Sequence, residues 1–133
     1  MERLIFHVDV NSAYLSWEAA RRVAAGEEDL RLISSAISGD PENRTGVILA
    51  KSIPAKKSGV RTGEPVALAL RKCPHLVLAR PDFRLYERNS RAFMAICGRY
   101  APVVEKFSID EAFLDMTETI HLFGPPMEAA DQI

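Results

Sequence analysis

Asp9, Asp110 and Glu111 are the residues of this 133-residue chain whose types and settings best suit chemistry. Asp110 and Glu111 stand side by side in FSIDEAFLD, a run that otherwise reads as a buried strand. Neighbours in one strand point to opposite faces, so the two acids share a site only if a tight hairpin turn falls between them and the preceding strand. Two close carboxylates repel, and one of them must protonate unless a cation joins them. Mg²⁺ accepts carboxylate oxygens readily. Asp9 closes the apolar run RLIFHVD and is the natural third ligand. Three carboxylates on adjacent strand ends can hold two metal ions roughly 3.5–4 Å apart, a pair that clamps the attacking and leaving oxygens of a phosphoryl displacement. The backbone N–H groups from Val10 to Tyr14 open a helix, a position suited to a triphosphate. The competing reading is simpler: Asp110 caps a turn and Glu111 faces water. Residue type and spacing leave both open.

Two further stretches carry potential chemistry. In AKSIPAKKSGVRTGEP, from Ala50 to Pro65, Lys51, Lys56, Lys57 and Arg61 crowd a turn-rich segment. Lysine acts as a point charge on phosphates; the same residues also suit a solvated loop. Tyr14 follows Asp9 by five residues. An aromatic there could lie against a nucleotide sugar and block a 2′-hydroxyl, or it could be a core tyrosine. His7 falls inside the first strand and is expected to be packed.

These residues need elements to position them. Arg3–Asp9 reads as a strand. Asn11 or Ser12 can cap a helix that runs to about Ala25. Strands are expected at Leu30–Ser38 and Gly46–Ala50, with the turn-rich loop GDPENRTG between them. IPAKKSGV suits a short helical turn ended by Gly59. Pro65–Cys73 suits a helix and Leu76–Ala79 a strand. Over Asp82–Tyr100, Phe83, Tyr86, Phe93, Cys97 and Tyr100 fall on one helical stripe, which reads as core packing. Val103–Ile109 and Glu111–Met116 form a hairpin, and a last helix begins at MEAADQI. The order β-α-β-β-α-α-β-α-β-β-α predicts an α+β fold, with an antiparallel sheet and helices on one face. The final helix shows neither cap nor tail, which reads as a truncation.

Composition excludes several classes. Apolar residues make up 47% and charged residues 26%, a globular balance. No apolar run nears the ~20 residues of a membrane span, and the N-terminus lacks a signal peptide's features. A cytoplasmic protein with no membrane association is expected. Cys73 and Cys97 form no disulfide framework or zinc spacing and are expected as buried thiols. The net charge of −1 conceals an asymmetry: residues 1–40 sum to −3, residues 41–90 to +6 and residues 91–133 to −4. A basic middle between acidic flanks suits a polyanion-facing lobe beside a cation-binding centre, and equally an ordinary solvated surface.

Taken together, HVDVNSAYLSWE, VILAKSIPAKKSGVRTGEP, PDFRLYERNSRAFM and the S-x-D-E-A hairpin in FSIDEAFLD resemble the Y-family (translesion) DNA polymerases, in that family's order and spacing over residues 3–124. The flavour is that of the bacterial polymerase IV-like group. The resemblance implies a polymerase palm over 1–20 and 78–133, with a small fingers domain inserted at 21–77. The thumb and little finger are expected to be absent. It implies that Asp9, Asp110 and Glu111, with the Val10 carbonyl, bind two Mg²⁺ ions, for which Mn²⁺ can substitute. It makes Tyr14 the steric gate against ribonucleotides. It also implies that Ser12 and Ala13 lend amides to the triphosphate and that Lys56 contacts the phosphates. The implied activity is template-directed, low-fidelity DNA synthesis by two-metal phosphoryl transfer, weak or inactive in this length of chain. The implied partners are primer–template DNA, a deoxynucleoside triphosphate and, through regions beyond these residues, a sliding clamp. One position departs: Ile53 stands where many relatives have a tyrosine that donates to the triphosphate. Two rivals remain, a silent DNA-binding or protein-interaction module and a template-independent, cyclase-like palm enzyme.

Overall fold

The computed structural model describes residues 2–43 and 45–133. Met1 and Arg44, the latter in the expected GDPENRTG loop, lie outside the described residues. The elements run β1 (Ile5–Asp9), α1 (Ala13–Ala24), β2 (Ser35–Ser38), β3 (Ile48–Lys51), α2 (Ile53–Lys57), α3 (Val66–Lys72), β4 (Val77–Ala79), α4 (Phe83–Cys97), β5 (Val103–Ser108), β6 (Glu111–Asp115) and α5 (Pro126–Gln132). Short 3₁₀ turns occur at Leu30–Leu32 and Ile120–Leu122. Apart from those turns the order is the expected one. The chain divides into two compact units, residues 1–10 with 87–133, and residues 11–86.

The first unit is built on an antiparallel sheet of order β1-β6-β5. Alternation sorts its side chains. Phe6, Val8, Ala112 and Leu114 point to one face, where they pack with Phe93, Met94 and Cys97 of α4. The opposite face carries Ile5, His7 and Asp9 of β1, all exposed, beside Glu111 and Phe113 of β6. Helix packing on one face only is therefore written in the strand pattern. Asp115 fastens the far end of this sheet. Its Oδ1 accepts from the Thr117 hydroxyl at 2.7 Å and from the Thr117 amide at 3.1 Å, and Arg3 Nη2 reaches its Oδ2 at 3.0 Å. The Thr117 hydroxyl, then Arg3, hold its pKa down to about 2. A depressed carboxylate pKa contributes stability above the unfolded value, and that contribution is lost as pH falls towards the folded one. We expect urea stability to fall between about pH 4 and pH 2, and Asp115→Asn to remove that part of the decline. An unchanged acid limb in Asp115→Asn would show that this cluster does not set the acid response.

The second unit is built on a sheet of order β3-β2-β4. β2 pairs antiparallel with β3 and parallel with β4. The parallel pair is an addition to the all-antiparallel expectation, made possible because α2 and α3 supply the long crossover it requires. β2 is buried on both faces. Ala36 enters a core with Ala55, Val66 and Ala69 of α2 and α3, whereas Ile37 enters a core with Leu15 and Ala19 of α1. The expected strand at Leu30–Ser38 is shorter. Asp29 Oδ1 accepts from the Arg31 amide at 2.9 Å and caps a 3₁₀ turn, so the strand starts only at Ser35. α2 ends as expected on Gly59, at φ 92°. There the Val60 amide bonds back to the Ala55 carbonyl and the Gly59 amide to that of Lys56, the two bonds of a Schellman stop. Within α1, the buried Glu18 is tolerated because Arg21 and Arg22, one turn on, both donate to its Oε1.

Candidate active site

In the first unit, β5 and β6 are joined through Ile109 and Asp110, so Asp110 is a turn residue and Glu111 opens β6. This is the hairpin the two acids require. Neither turn residue has a positive φ, and the register slips between Lys106 and Ser108. A bulge there supplies the twist that the turn itself does not. Ser90 of α4, fully buried, donates to the Ile109 carbonyl and pins the turn to the helix.

The turn gathers carboxylates. Ser108 Oγ lies 2.9 Å from Asp110 Oδ1 and 2.8 Å from Glu111 Oε2. Asp9 is the direct cross-strand partner of Glu111, so the two side chains leave the same face. The Val10 amide donates to the Asp110 carbonyl at 2.9 Å and carries the pairing past the strand end. Asp9, Val10, Asp110 and Glu111 are thus brought to one end of one sheet. Glu111 also meets His7, whose Nε2 is 3.1 Å from Oε1 while its ring stacks on Phe113 at 4.6 Å. His7 is exposed rather than packed, because its position in β1 alternates onto the open face of the sheet, and there it stands against the acid.

Among the described residues, no three His, Cys, Asp or Glu side chains stand close enough to hold a metal ion. The two oxygens of Glu111 are turned to His7 and Ser108. The donor set nevertheless suits a hard divalent cation, since it consists of carboxylate and carbonyl oxygens. One hydroxyl has a single proton to share between Asp110 and Glu111, so Ser108 cannot donate to both carboxylates at once.

In the second unit, Ser12 takes the N-cap position of α1 but not the cap role. It sits in the left-handed region at φ 46°, ψ 49°, and its side chain makes no capping bond. For a non-glycine residue that conformation costs about 1–2 kcal/mol, and it leaves the first-turn amides without a side-chain cap. Ser12 and Lys56 line one cleft of about 460 Å³, together with Asn11, Ser16, Arg31, Lys51 and Ile53. Ala13 is buried at the first position of α1. Tyr14 is half-buried; its ring stacks on Tyr86 at 4.3 Å and meets the edge of Phe83 at 6.0 Å. Neither Ala13 nor Tyr14 lines the cleft.

The sequence reading missed Ser90, the role of Ser108, the His7–Glu111 contact and Arg31. A serine three residues before an acid hints at Ser108. The others depend on partners far along the chain and leave no local signal.

The impB/mucB/samB family profile matches residues 8–133. The chain is 47% identical over 121 residues to DNA polymerase IV of Clostridium acetobutylicum, covering 90% of this chain and 31% of that protein. It is 41% identical over 133 residues to DNA polymerase IV of Alkaliphilus oremlandii, covering 100% of this chain and 32% of that protein. The chain thus spans about a third of the length of these relatives. Among solved structures, a Y-family DNA polymerase chimera superposes with a TM-score of 0.83 at 21% identity, over 96% of this chain and 36% of its own. DinB from Sulfolobus solfataricus superposes with a TM-score of 0.78 at 22% identity, over 96% of this chain and 35% of its own. Those two likenesses are likenesses of fold.

Proposed function

The chain belongs to the impB/mucB/samB family, the Y-family polymerases, and from that premise we propose that it carries the catalytic acids and the triphosphate cleft of a template-directed translesion DNA polymerase. The observation that supports this most is the end of the β1-β6-β5 sheet, where Asp110 and Glu111 share the Ser108 hydroxyl and Glu111 faces Asp9 across the strands.

In this reading a primer 3′-hydroxyl attacks the α-phosphorus of a deoxynucleoside triphosphate and pyrophosphate leaves. Asp9, Asp110, Glu111 and the Val10 carbonyl would hold two Mg²⁺ ions, or Mn²⁺ in their place, which when bound neutralise charge on the attacking and leaving oxygens. The chain's own residues do the positioning. Ser90 fixes the turn that presents Asp110. Ser108 holds the two carboxylates in reach of each other until they are needed as ligands. Uncapped amides at Ser12 and Ala13 and the ammonium of Lys56 take the triphosphate. Tyr14 excludes a 2′-hydroxyl, its ring backed by Tyr86 and edged by Phe83. Residues 1–20 and 78–133 are the partial palm and 21–77 the fingers. Low fidelity, a cytoplasmic location and a sliding-clamp partner reached through other regions belong to the same proposal. Among the described residues no helix is long and apolar enough to cross a membrane.

The deciding experiment is Mn²⁺ binding by electron paramagnetic resonance, with and without dATP. We expect the triphosphate to raise Mn²⁺ affinity about tenfold or more, since triphosphate and carboxylates share the metal. Equal Mn²⁺ binding in both conditions would sink the two-metal reading. Pyrophosphate release from dATP without DNA would point instead to a template-independent palm enzyme.

A further inference from the structure

The cleft of the second unit holds two cations that the functional reading leaves unused. Its lining contains Arg31, Lys51 and Lys56 and no acidic residue. Ile53, 69% exposed at the start of α2, offers it no donor. We propose that Lys51 and Arg31 are further phosphate-holding residues, gripping the polyphosphate tail in place of a side-chain donor at position 53. This rests on the nucleotidyl-transfer reading and extends it.

The geometry of each cation carries the argument. Arg31 is held on one edge by Asp29: Nε reaches Oδ1 at 2.9 Å and Nη2 reaches Oδ2 at 3.0 Å. That bond keeps the Asp29 carboxyl below its usual range, so it stays ionised and keeps holding. The guanidinium is then fixed in direction, with Nη1 unengaged among the described residues. A fixed planar donor loses little side-chain entropy when an anion arrives. Lys51 leaves the end of β3, and its Nζ donates to the Thr62 hydroxyl at 3.1 Å. An ammonium has three donors, so further protons remain for an oxyanion. Lys56 has no side-chain partner among the described residues. The three cations reach the cleft from separate stretches, a 3₁₀ turn, a strand end and a short helix. Such a spread suits an extended polyanion better than a single phosphate.

The experiment uses this chain in EDTA, so that the acids of the other unit contribute no metal. The probes are dATP and inorganic tripolyphosphate, each read by displacement of a fluorescent triphosphate. Lys51→Ala and Arg31→Ala are each expected to weaken tripolyphosphate binding about tenfold, the scale of one charge-assisted hydrogen bond. Lys57→Ala, a nearby cation outside the cleft lining, should change it less than about twofold. Ile53→Tyr should recover part of the loss in a Lys51→Ala background. Trp17 fluorescence on urea titration checks folding, and Arg31→Lys replaces Arg31→Ala if the latter unfolds. If Lys51→Ala and Arg31→Ala bind as wild type while Lys56→Ala does not, this inference fails and the functional reading stands. If wild type binds neither probe without metal, this inference fails, and the functional reading is decided separately by the Mn²⁺ experiment.

Discussion

Asp110→Ala is expected to abolish the gain in Mn²⁺ affinity that dATP confers, a loss of about tenfold or more, because removing even an outer-shell partner of a metal costs about 10–100-fold. The reason lies in the hairpin. Asp110 is a turn residue, so its carboxylate is not committed to either face of the sheet and can meet Glu111 at the Ser108 hydroxyl. Without Asp110 the site keeps Glu111, which His7 also holds, and Asp9 across the strand. That leaves too few oxygens for two ions. Asp110→Asn separates charge from shape. Its amide oxygen can still accept from Ser108, but it brings no negative charge. Equal loss in the alanine and asparagine variants assigns the effect to charge. Full retention of the gain in Asp110→Ala would remove Asp110 from the site. Unfolding midpoints of both variants near that of wild type exclude a collapsed turn as the cause.

The second large effect is structural. Gly46→Ala is expected to cost about 3 kcal/mol or more, at the upper end of overpacking penalties. A Cβ at Gly46 would fall 1.8 Å from the Gly39 carbonyl oxygen and 2.5 Å from its carbon. Both are backbone atoms, so no rotamer change relieves the clash. The approach matters because Gly39 follows β2 and Gly46 precedes β3, and the Gly46 carbonyl also accepts from the Val66 amide at 2.9 Å. Displacing this crossing disturbs β2, β3 and the start of α3 together. Gly39→Ala is the matched control: a Cβ there meets nothing within 4 Å, and loss of chain freedom in the unfolded state predicts no penalty and a gain of up to about 1 kcal/mol. Urea midpoints read through Trp17, which lies in the same unit, compare the two. Equal midpoints for both variants would mean the backbones do not cross so closely.

Much of this was legible in the chain. The order of elements, the helical stop at Gly59 and the turn at Asp110 follow from rules that act over a few residues, and those features are where the sequence places them. The one-sided packing of β1 and β6 follows from their alternation. Features set by distant partners were not legible. The parallel pairing of β2 with β4 depends on where two intervening helices pack. Leu30–Leu32 looked like strand because it is apolar; a single Asp29 carboxylate turned it into a 3₁₀ turn. At the site, Asp9, Asp110 and Glu111 stood out because acids at strand ends are costly without a reason. Ser90 and Arg31 did not, because a serine in a helix and an arginine in a polar stretch are individually unremarkable. His7 was judged by its strand position, which predicts packing and says nothing of the carboxylate one strand away.

The double burial of β2 has a consequence for how this chain can vary over generations. Residues Ser35 to Ser38 are all buried, and the neighbours Ala36 and Ile37 serve different cores. A larger residue at 36 presses on α2 and α3; a larger one at 37 presses on α1. No single compensating change elsewhere relieves both. The four positions therefore form a bottleneck, in which drift is confined to residues of nearly the same size and substitutions arrive in coordinated sets or not at all. Exposed Arg31 and Lys56 and half-buried Lys51 of the neighbouring cleft belong to neither core. On the proposed reading, binding preference can then be retuned there, one side chain at a time, on a scaffold that is held still from both sides.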